Sequence, residues 1–228
     1  KKDLEIIKKI ILEDQLLISG LFLPKIENYK QIQYIQNYFN FNKNLLYVPI
    51  IETKEGMINL ESILKNDADN NYIYAIHYGH FDYCLDIQAW PFPDPFHNEF
   101  WEIVNKITNL AIRYNKIYIH TPFPFLKNEK IFWGSEAHLK SRYKKLKYFL
   151  TSINIDISLS KKPLNFKKFK IKRMSDSKDY QIYFAKKIIR IFTSNRVNKR
   201  SFAISDKRFI PPHQYFMAIS FLNKKLSN

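Results

Sequence analysis

The sequence is poor in three things: it has one cysteine, four glycines and no apolar run long enough to span a bilayer. A single thiol, Cys84, excludes an intrachain disulfide and every zinc site built from several cysteines. Its place two residues after Asp82 invites a nucleophilic reading, yet a small buried filler is the expected role. No charged-then-apolar segment opens the chain, so a reducing, cytoplasmic setting without a membrane partner is expected. With glycine this scarce, each one is worth locating. Gly56 and Gly79 flank two carboxylates, where glycine ordinarily provides backbone freedom or close approach.

What is abundant is positive charge. The 228 residues carry 37 Lys and Arg against 21 Asp and Glu, a net charge of +16. That balance raises a nucleic-acid or polyanion partner, with a basic run at Lys161, Lys162, Lys167, Lys168, Lys170, Lys172, Arg173 and Lys178 and with Phe166 and Phe169 as stacking groups. Lys, Asn, Ile, Tyr and Phe are all common while Gly and Ala are rare, so the charge reflects a bias acting across the whole chain. It weighs little toward nucleic acid.

Apolar runs and amphipathic stretches alternate. A helix is expected over Asp3–Glu13, a strand at Leu21–Leu23, a helix over Glu27–Phe39, a strand at Leu45–Ile51, a short helix at Leu60–Leu64 and a strand at Tyr72–Tyr78. Further on come a helix over Phe100–Tyr114, a strand at Lys116–His120, a helix over about Ser135–Leu150 and a weaker strand at Ile153–Leu159. Helices over Lys178–Phe192 and Pro211–Leu222 close the chain. The three prolines of Trp90–Phe96 exclude regular structure there. This order specifies an α/β fold with a parallel sheet. Residues 1–165 are expected to form a partial (β/α) barrel and residues 166–228 a C-terminal helical extension.

Two carboxylates stand at matching strand ends. Glu52 closes Val48-Pro49-Ile50-Ile51-Glu52-Thr53, and Asp82 closes Gly79-His80-Phe81-Asp82, thirty positions later. One strand, helix, strand unit fills that spacing and returns both acids to one rim of a parallel sheet. Magnesium prefers oxygen ligands, keeps several waters and is commonly held by one or two protein carboxylates. His80 and His120 also fall at strand ends and are candidate proton shuttles, with His80 favoured, while His77 lies within its strand. Asp86 is expected on a helix or as a supporting partner. As loop caps or lysine partners, either acid alone would be explained, but not a shared cation.

Taken in order, these segments resemble the citrate lyase beta-subunit and HpcH/HpaI aldolase superfamily. Leu23-Pro24-Lys25-Ile26-Glu27 is similar to its strand ending in Leu-Pro-Lys, Pro49-Ile50-Ile51-Glu52-Thr53 to its Pro-hydrophobic-Ile-Glu-Thr segment, and Gly79 to Asp82, followed by Asp86, to its Gly-x-x-Asp loop. The resemblance implies a TIM-barrel type of fold and a magnesium-dependent carbon–carbon lyase, aldolase or citrate-lyase-like, acting on a keto acid or acyl thioester such as an acyl-CoA. It implies Mg²⁺, or Mn²⁺ in its place, on Glu52 and Asp82. It also implies a substrate carboxylate at His80, Phe81 and Asp82 with Lys25 at the rim, and a homo-oligomer.

Two departures matter. The family's Asp-Pro-Pro element, whose acid serves in proton transfer, is matched by Asp206-Lys207-Arg208-Phe209-Ile210-Pro211-Pro212, with Ile210 at the acidic position; the family's Ile-His-Pro is matched by Lys161-Lys162-Pro163. They leave the proton-transfer residue unassigned and motivate a second alternative, a barrel relic that binds without turnover. The family's first strands, with their substrate-binding arginine, have no counterpart, so about five of eight strand-helix units are expected and the chain reads as part of a longer protein.

Overall fold

The structure is a computed structural model, described here for residues 2–13, 18–42, 44–125, 128–152, 170–194, 201–206 and 208–226. Among these residues the elements run α1 (Lys2–Glu13), β1 (Gly20–Leu23), α2 (Tyr29–Tyr38), β2 (Leu46–Ile51), α3 (Lys54–Asp67), β3 (Ala75–Tyr78), α4 (His80–Asp86), α5 (Asn98–Arg113), β4 (Ile117–Ile119), α6 (Glu129–Arg142) and β5 (Tyr148–Phe149). The tail adds α7 (Lys178–Ser194), β6 (Ala203–Ser205), β7 (Arg208–Ile210) and α8 (Pro212–Leu226).

Strands β1 to β5 form one parallel sheet in sequence order, with Leu23 opposite Pro49, Ile51 opposite Tyr78 and His77 opposite Ile119. Among the described residues the sheet is open, with its parallel strands in the sequential order of a TIM-type barrel. Alternation along the strands gives each face a distinct role. Ile51, Ile76, Tyr78 and Tyr118 join the main core with Leu60, Ile63 and Leu64 of α3 and Phe100, Val104 and Ile107 of α5. The opposite face carries Phe22, which is 57% exposed and meets the ring of His77 edge-on at 5.8 Å. In a closed barrel that face would be interior.

Local chemistry sets the helix starts. Asn28 and Gln31 form a reciprocal capping box at α2, and the Thr53 hydroxyl accepts from the Gly56 amide at the head of α3. That cap makes α3 fourteen residues long, far beyond the short helix expected at Leu60–Leu64, because polar Lys54 to Gly56 complete the first turn without contributing to an apolar stripe. Gly79 to Asp82, expected as a loop, is instead the N-cap and first turn of α4. The helix expected to reach Leu150 ends at Arg142; Tyr143 leaves helical geometry, and the chain then pairs Tyr148 with Tyr118. The apolar spacing through Leu146 and Leu150 simulated a longer helix, whereas a free edge of β4 was available to be paired. The expected strand at Ile153–Leu159, and half of the basic run (Lys161, Lys162, Lys167 and Lys168) with Phe166 and Phe169, lie outside the described residues.

Below the sheet Lys116 and Asp67 form a buried pair at 2.7 Å, and the ammonium also donates to Asn71 Oδ1 and the Ile73 carbonyl. Asp67 in turn accepts from the amides of Tyr72 and Ile73, so every member of this network is satisfied.

The tail has its own small core, built on Ile188, Phe192, Ile210 and Tyr215. It docks on the main body through several contacts. Met217 packs with Cys84 and Phe92, Trp90 Nε1 donates to the Gln181 carbonyl at 3.3 Å, and Arg208 grips Asp94 through both terminal nitrogens at 2.7 and 2.6 Å. The hairpin of β6 and β7 was not foreseen. Its Phe209 amide bonds the Pro124 carbonyl at 2.8 Å, which fastens the tail to the segment after β4.

Candidate active site

Glu52 and Asp82 leave two neighbouring parallel strands and are held in register by backbone contacts. The Gly79 amide donates to the Ile51 carbonyl at 3.1 Å, directly before each acid's segment. Two residues after Glu52, the Lys54 amide donates to the Asp86 carboxylate at 2.6 Å, tying the loop of one acid to the helix of the other. Asp86 is thus the positioning partner of the pair.

Glycine permits the approach. A methyl group on Gly79 would stand 2.5 Å from Glu52 Cβ and 2.8 Å from Oε2, so only a residue without Cβ fits beneath the Glu52 side chain. A methyl on Gly56 would stand 2.5 Å from the Ile26 carbonyl. Its absence lets the loop after β1 close in, and there the Lys25 amide donates to Glu52 Oε1 at 2.9 Å. Lys25 holds a left-handed conformation, φ 52°, which costs a non-glycine residue energy and turns that amide into the site.

Electrostatics distinguish the two acids. Glu52 is buried, 8% exposed, and its pKa is raised, first by burial and then by the charge of Asp82, against the lowering effects of the Lys25 amide, the Lys25 charge and His213. Asp82 is held below its ordinary value, chiefly by a hydrogen bond from His213 and then by the charges of His213 and Lys25, against partial burial. Asp82 therefore ionises first, and its charge falls on Glu52. His213 Nε2 lies 3.3 Å from Asp82 Oδ1, and His213 belongs to the first turn of α8 in the tail.

Lys25, Glu52, Asp82 and His213 thus form one electrostatic cluster. Sequence reasoning missed His213. The only signal was Pro211-Pro212 ahead of a helix, which marks a start but not the surface it meets. Ile210, at the family's acidic position, is buried in the tail core.

The histidines at the strand ends are enclosed. His80 is 4% exposed, stacks on Phe81 with ring centroids 5.2 Å apart and is pushed down to about 3 by burial, with the nearby Arg208 and His120 charges adding to the effect. His120 is likewise pushed down to about 3 by burial and then by His77, and its Nδ1 pairs with the Tyr118 hydroxyl at 2.9 Å. Both rings are neutral near pH 7. The amides of His80, Phe81 and Asp82 are the first of α4, without partners four residues back. Cys84 is fully buried and burial pushes its thiol up, which makes it inert filler.

Among the described residues no group of three or more His, Cys, Asp or Glu side chains is placed to hold a metal ion. No helix among them is long and apolar enough to cross a membrane.

No family model matches the sequence, and comparison with curated proteins gives no match. Solved structures do match. RipC from Yersinia pestis aligns with a TM-score of 0.53 at 18% identity over 68% of this chain and 66% of that one. Malate synthase from Haloferax volcanii aligns as a pyruvate/acetyl-CoA ternary complex, with a TM-score of 0.59 at 12% identity over 92% of this chain and 64% of that one. It also aligns as a magnesium/glyoxylate complex, with a TM-score of 0.58 at 13% identity, over 92% and 61% respectively. The chain therefore spans less than two thirds of the length of these structures. Likeness at this identity establishes the fold alone, an α/β fold of TIM-barrel type.

Proposed function

We propose that this chain carries the metal-binding part of a magnesium-dependent carbon–carbon lyase acting on a small keto acid or an acyl thioester, with Glu52 and Asp82 as ligands. One observation carries the reading: two carboxylates from adjacent strand ends share one cluster, and the burial of Glu52 beside the Asp82 charge is not offset by its neighbours. A cation there relieves the repulsion between the acids and the burial cost of Glu52 together. Oxygen donors fit a hard ion, and a pair suffices for magnesium, which fills its remaining positions with water and substrate. That a malate synthase of the same fold is described in a magnesium/glyoxylate complex supports the choice of ion.

When bound, Mg²⁺ supplies Lewis-acid stabilisation of negative charge growing on a substrate oxygen as a carbon–carbon bond breaks or forms. The protein's own groups do the positioning. The Lys25 amide fixes Glu52 Oε1, Asp86 locks the intervening loop, and His213 orients Asp82. Lys25 adds positive charge for a substrate carboxylate, and in this reading the leading amides of α4 at His80, Phe81 and Asp82 would donate to it.

Calorimetric titration with Mg²⁺ tests the assignment. Glu52→Gln and Asp82→Asn should each weaken binding by more than the roughly 10- to 100-fold that follows loss of a merely supporting partner. Unchanged affinity in both variants would remove the metal, and with it the lyase reading.

A further inference from the structure

We propose a second ligand site at the end of the sheet opposite Glu52 and Asp82, a pocket for a small phosphate monoester that carries a planar ring. A cavity of about 450 Å³ lies against the starts of β2, β3, β4 and β5. Its volume falls within the roughly 300–1,000 Å³ usual for small-molecule sites. Leu46, Ile73 and Ile117 give it apolar surface, and Asn71, Asn115 and Lys147 supply polar groups around the ring of Tyr74.

An irregularity in the sheet presents Tyr74. Tyr47 pairs with Ile73 and Ile50 with His77, so three steps along β2 answer four along the neighbouring strand. One extra residue in a pairing is a β-bulge, a device that re-aims a side chain. Tyr74 lies in that stretch. Its amide donates to the Tyr47 carbonyl at 2.9 Å and its carbonyl accepts from the Ile117 amide at 3.4 Å, which fixes the backbone from both sides, yet the residue is 45% exposed. An open aromatic ring on a fixed backbone is a platform on which a flat group stacks.

The charges select an anion. No carboxylate is among the residues around the cavity. Lys116, which also lines it, is neutralised by Asp67 at 2.7 Å and donates besides to Asn71 Oδ1 and the Ile73 carbonyl. That leaves Lys147, which is exposed and, among the described residues, in no ion pair. Its carbonyl accepts from the Tyr118 amide at 2.9 Å, so its backbone is anchored beside β4. Because Lys116 engages Asn71 Oδ1, the donor end of that exposed amide is left for a ligand, and Asn115 adds a second exposed carboxamide. Lys144 and Lys145, exposed in the turn before Lys147, raise the local positive potential. A phosphate monoester brings three acceptor oxygens to one ammonium and two amides, where a carboxylate brings two.

AMP, which joins a flat ring to a phosphate monoester, is the probe, titrated by calorimetry into the full chain in Mg²⁺-free buffer so that the result does not depend on a metal at Glu52 and Asp82. Saturable binding is expected, with adenosine weaker by about tenfold or more, the loss of a charge-assisted hydrogen bond. Inorganic phosphate should be weaker by about fivefold or more, the loss of stacking. Lys147→Gln and Tyr74→Ala, both at exposed positions, should each weaken AMP by the matching factor. Failure of AMP to bind the wild-type chain, or adenosine or phosphate binding as tightly as AMP, would overturn the proposal. So would full AMP affinity in either variant, since AMP held elsewhere by the bulk positive charge would survive both substitutions. The three wild-type titrations decide the matter even where a variant fails to fold.

Discussion

The Glu52 side chain rests on the bare backbone of Gly79: a methyl group there would lie 2.5 Å from its Cβ and 2.8 Å from its Oε2. Ile50 Cγ2 would lie 2.9 Å from the same point, so an added methyl meets two side chains at once. Gly79→Ala should therefore expel the Glu52 carboxylate from the cluster and destabilise the fold by about 1–3 kcal/mol, the usual cost of overpacking. Urea unfolding and Mg²⁺ titration of the folded variant check the two effects. Wild-type values in both would show that the contact is slack.

The buried Lys116–Asp67 pair should be among the most sensitive positions for stability. Lys116→Met leaves Asp67 charged and enclosed with only its amide donors, which predicts a loss of about 3–5 kcal/mol in denaturant unfolding. The double replacement Lys116→Met with Asp67→Asn should recover part of that loss, since no buried charge is then stranded.

His120 predicts a definite pH dependence. Its folded pKa, about 3, lies below the ordinary histidine value, so the unfolded state binds the proton that the folded state refuses. Its contribution is complete above the unfolded value near 6.5 and is lost as pH falls from there toward 3, at about 1.4 kcal/mol per pH unit. Unfolding curves between pH 7.5 and 5 should show this slope added to a similar one from His80, and His120→Asn should remove its own share, roughly half of the two together. An unchanged slope in that variant would assign the effect to other groups.

The Arg208–Asp94 clasp should hold the tail to the body. Both side chains are largely buried and the geometry is bidentate, so a double-mutant cycle with Arg208→Gln and Asp94→Asn should give a coupling of about 1.5–3 kcal/mol. Faster proteolysis of the tail in either single variant would accompany it. A coupling near zero would mean that the tail's other contacts, Met217, Trp90 and the Phe209 amide among them, hold it without the ion pair.

Much of the fold was legible because short apolar runs separated by amphipathic stretches admit few arrangements. The first four strands fall on the runs that periodicity marked: β1 begins one residue earlier, at Gly20, and β2, β3 and β4 are shorter than their runs. What was not legible had no local signature. Lys54 to Gly56 look like a loop until Thr53 caps them, and Tyr148–Phe149 become a strand only because β4 offers an unpaired edge. The β6–β7 hairpin is six residues of pairing whose stability comes from docking on Pro124 and Asp94.

The sequence by itself determined the parallel sheet and the delivery of Glu52 and Asp82 to its strand ends, because hydrophobic period and crossover length are properties of consecutive residues. Only the tertiary structure decided that Lys25 would turn its amide onto Glu52, that Asp86 would lock the two loops, that His80 would be sealed among aromatic rings and that His213 would reach Asp82 from the far end of the chain. Those outcomes depend on which surfaces meet after the chain has folded back on itself. Burial and charge then act through space, between residues whose separation along the sequence carries no trace of the encounter.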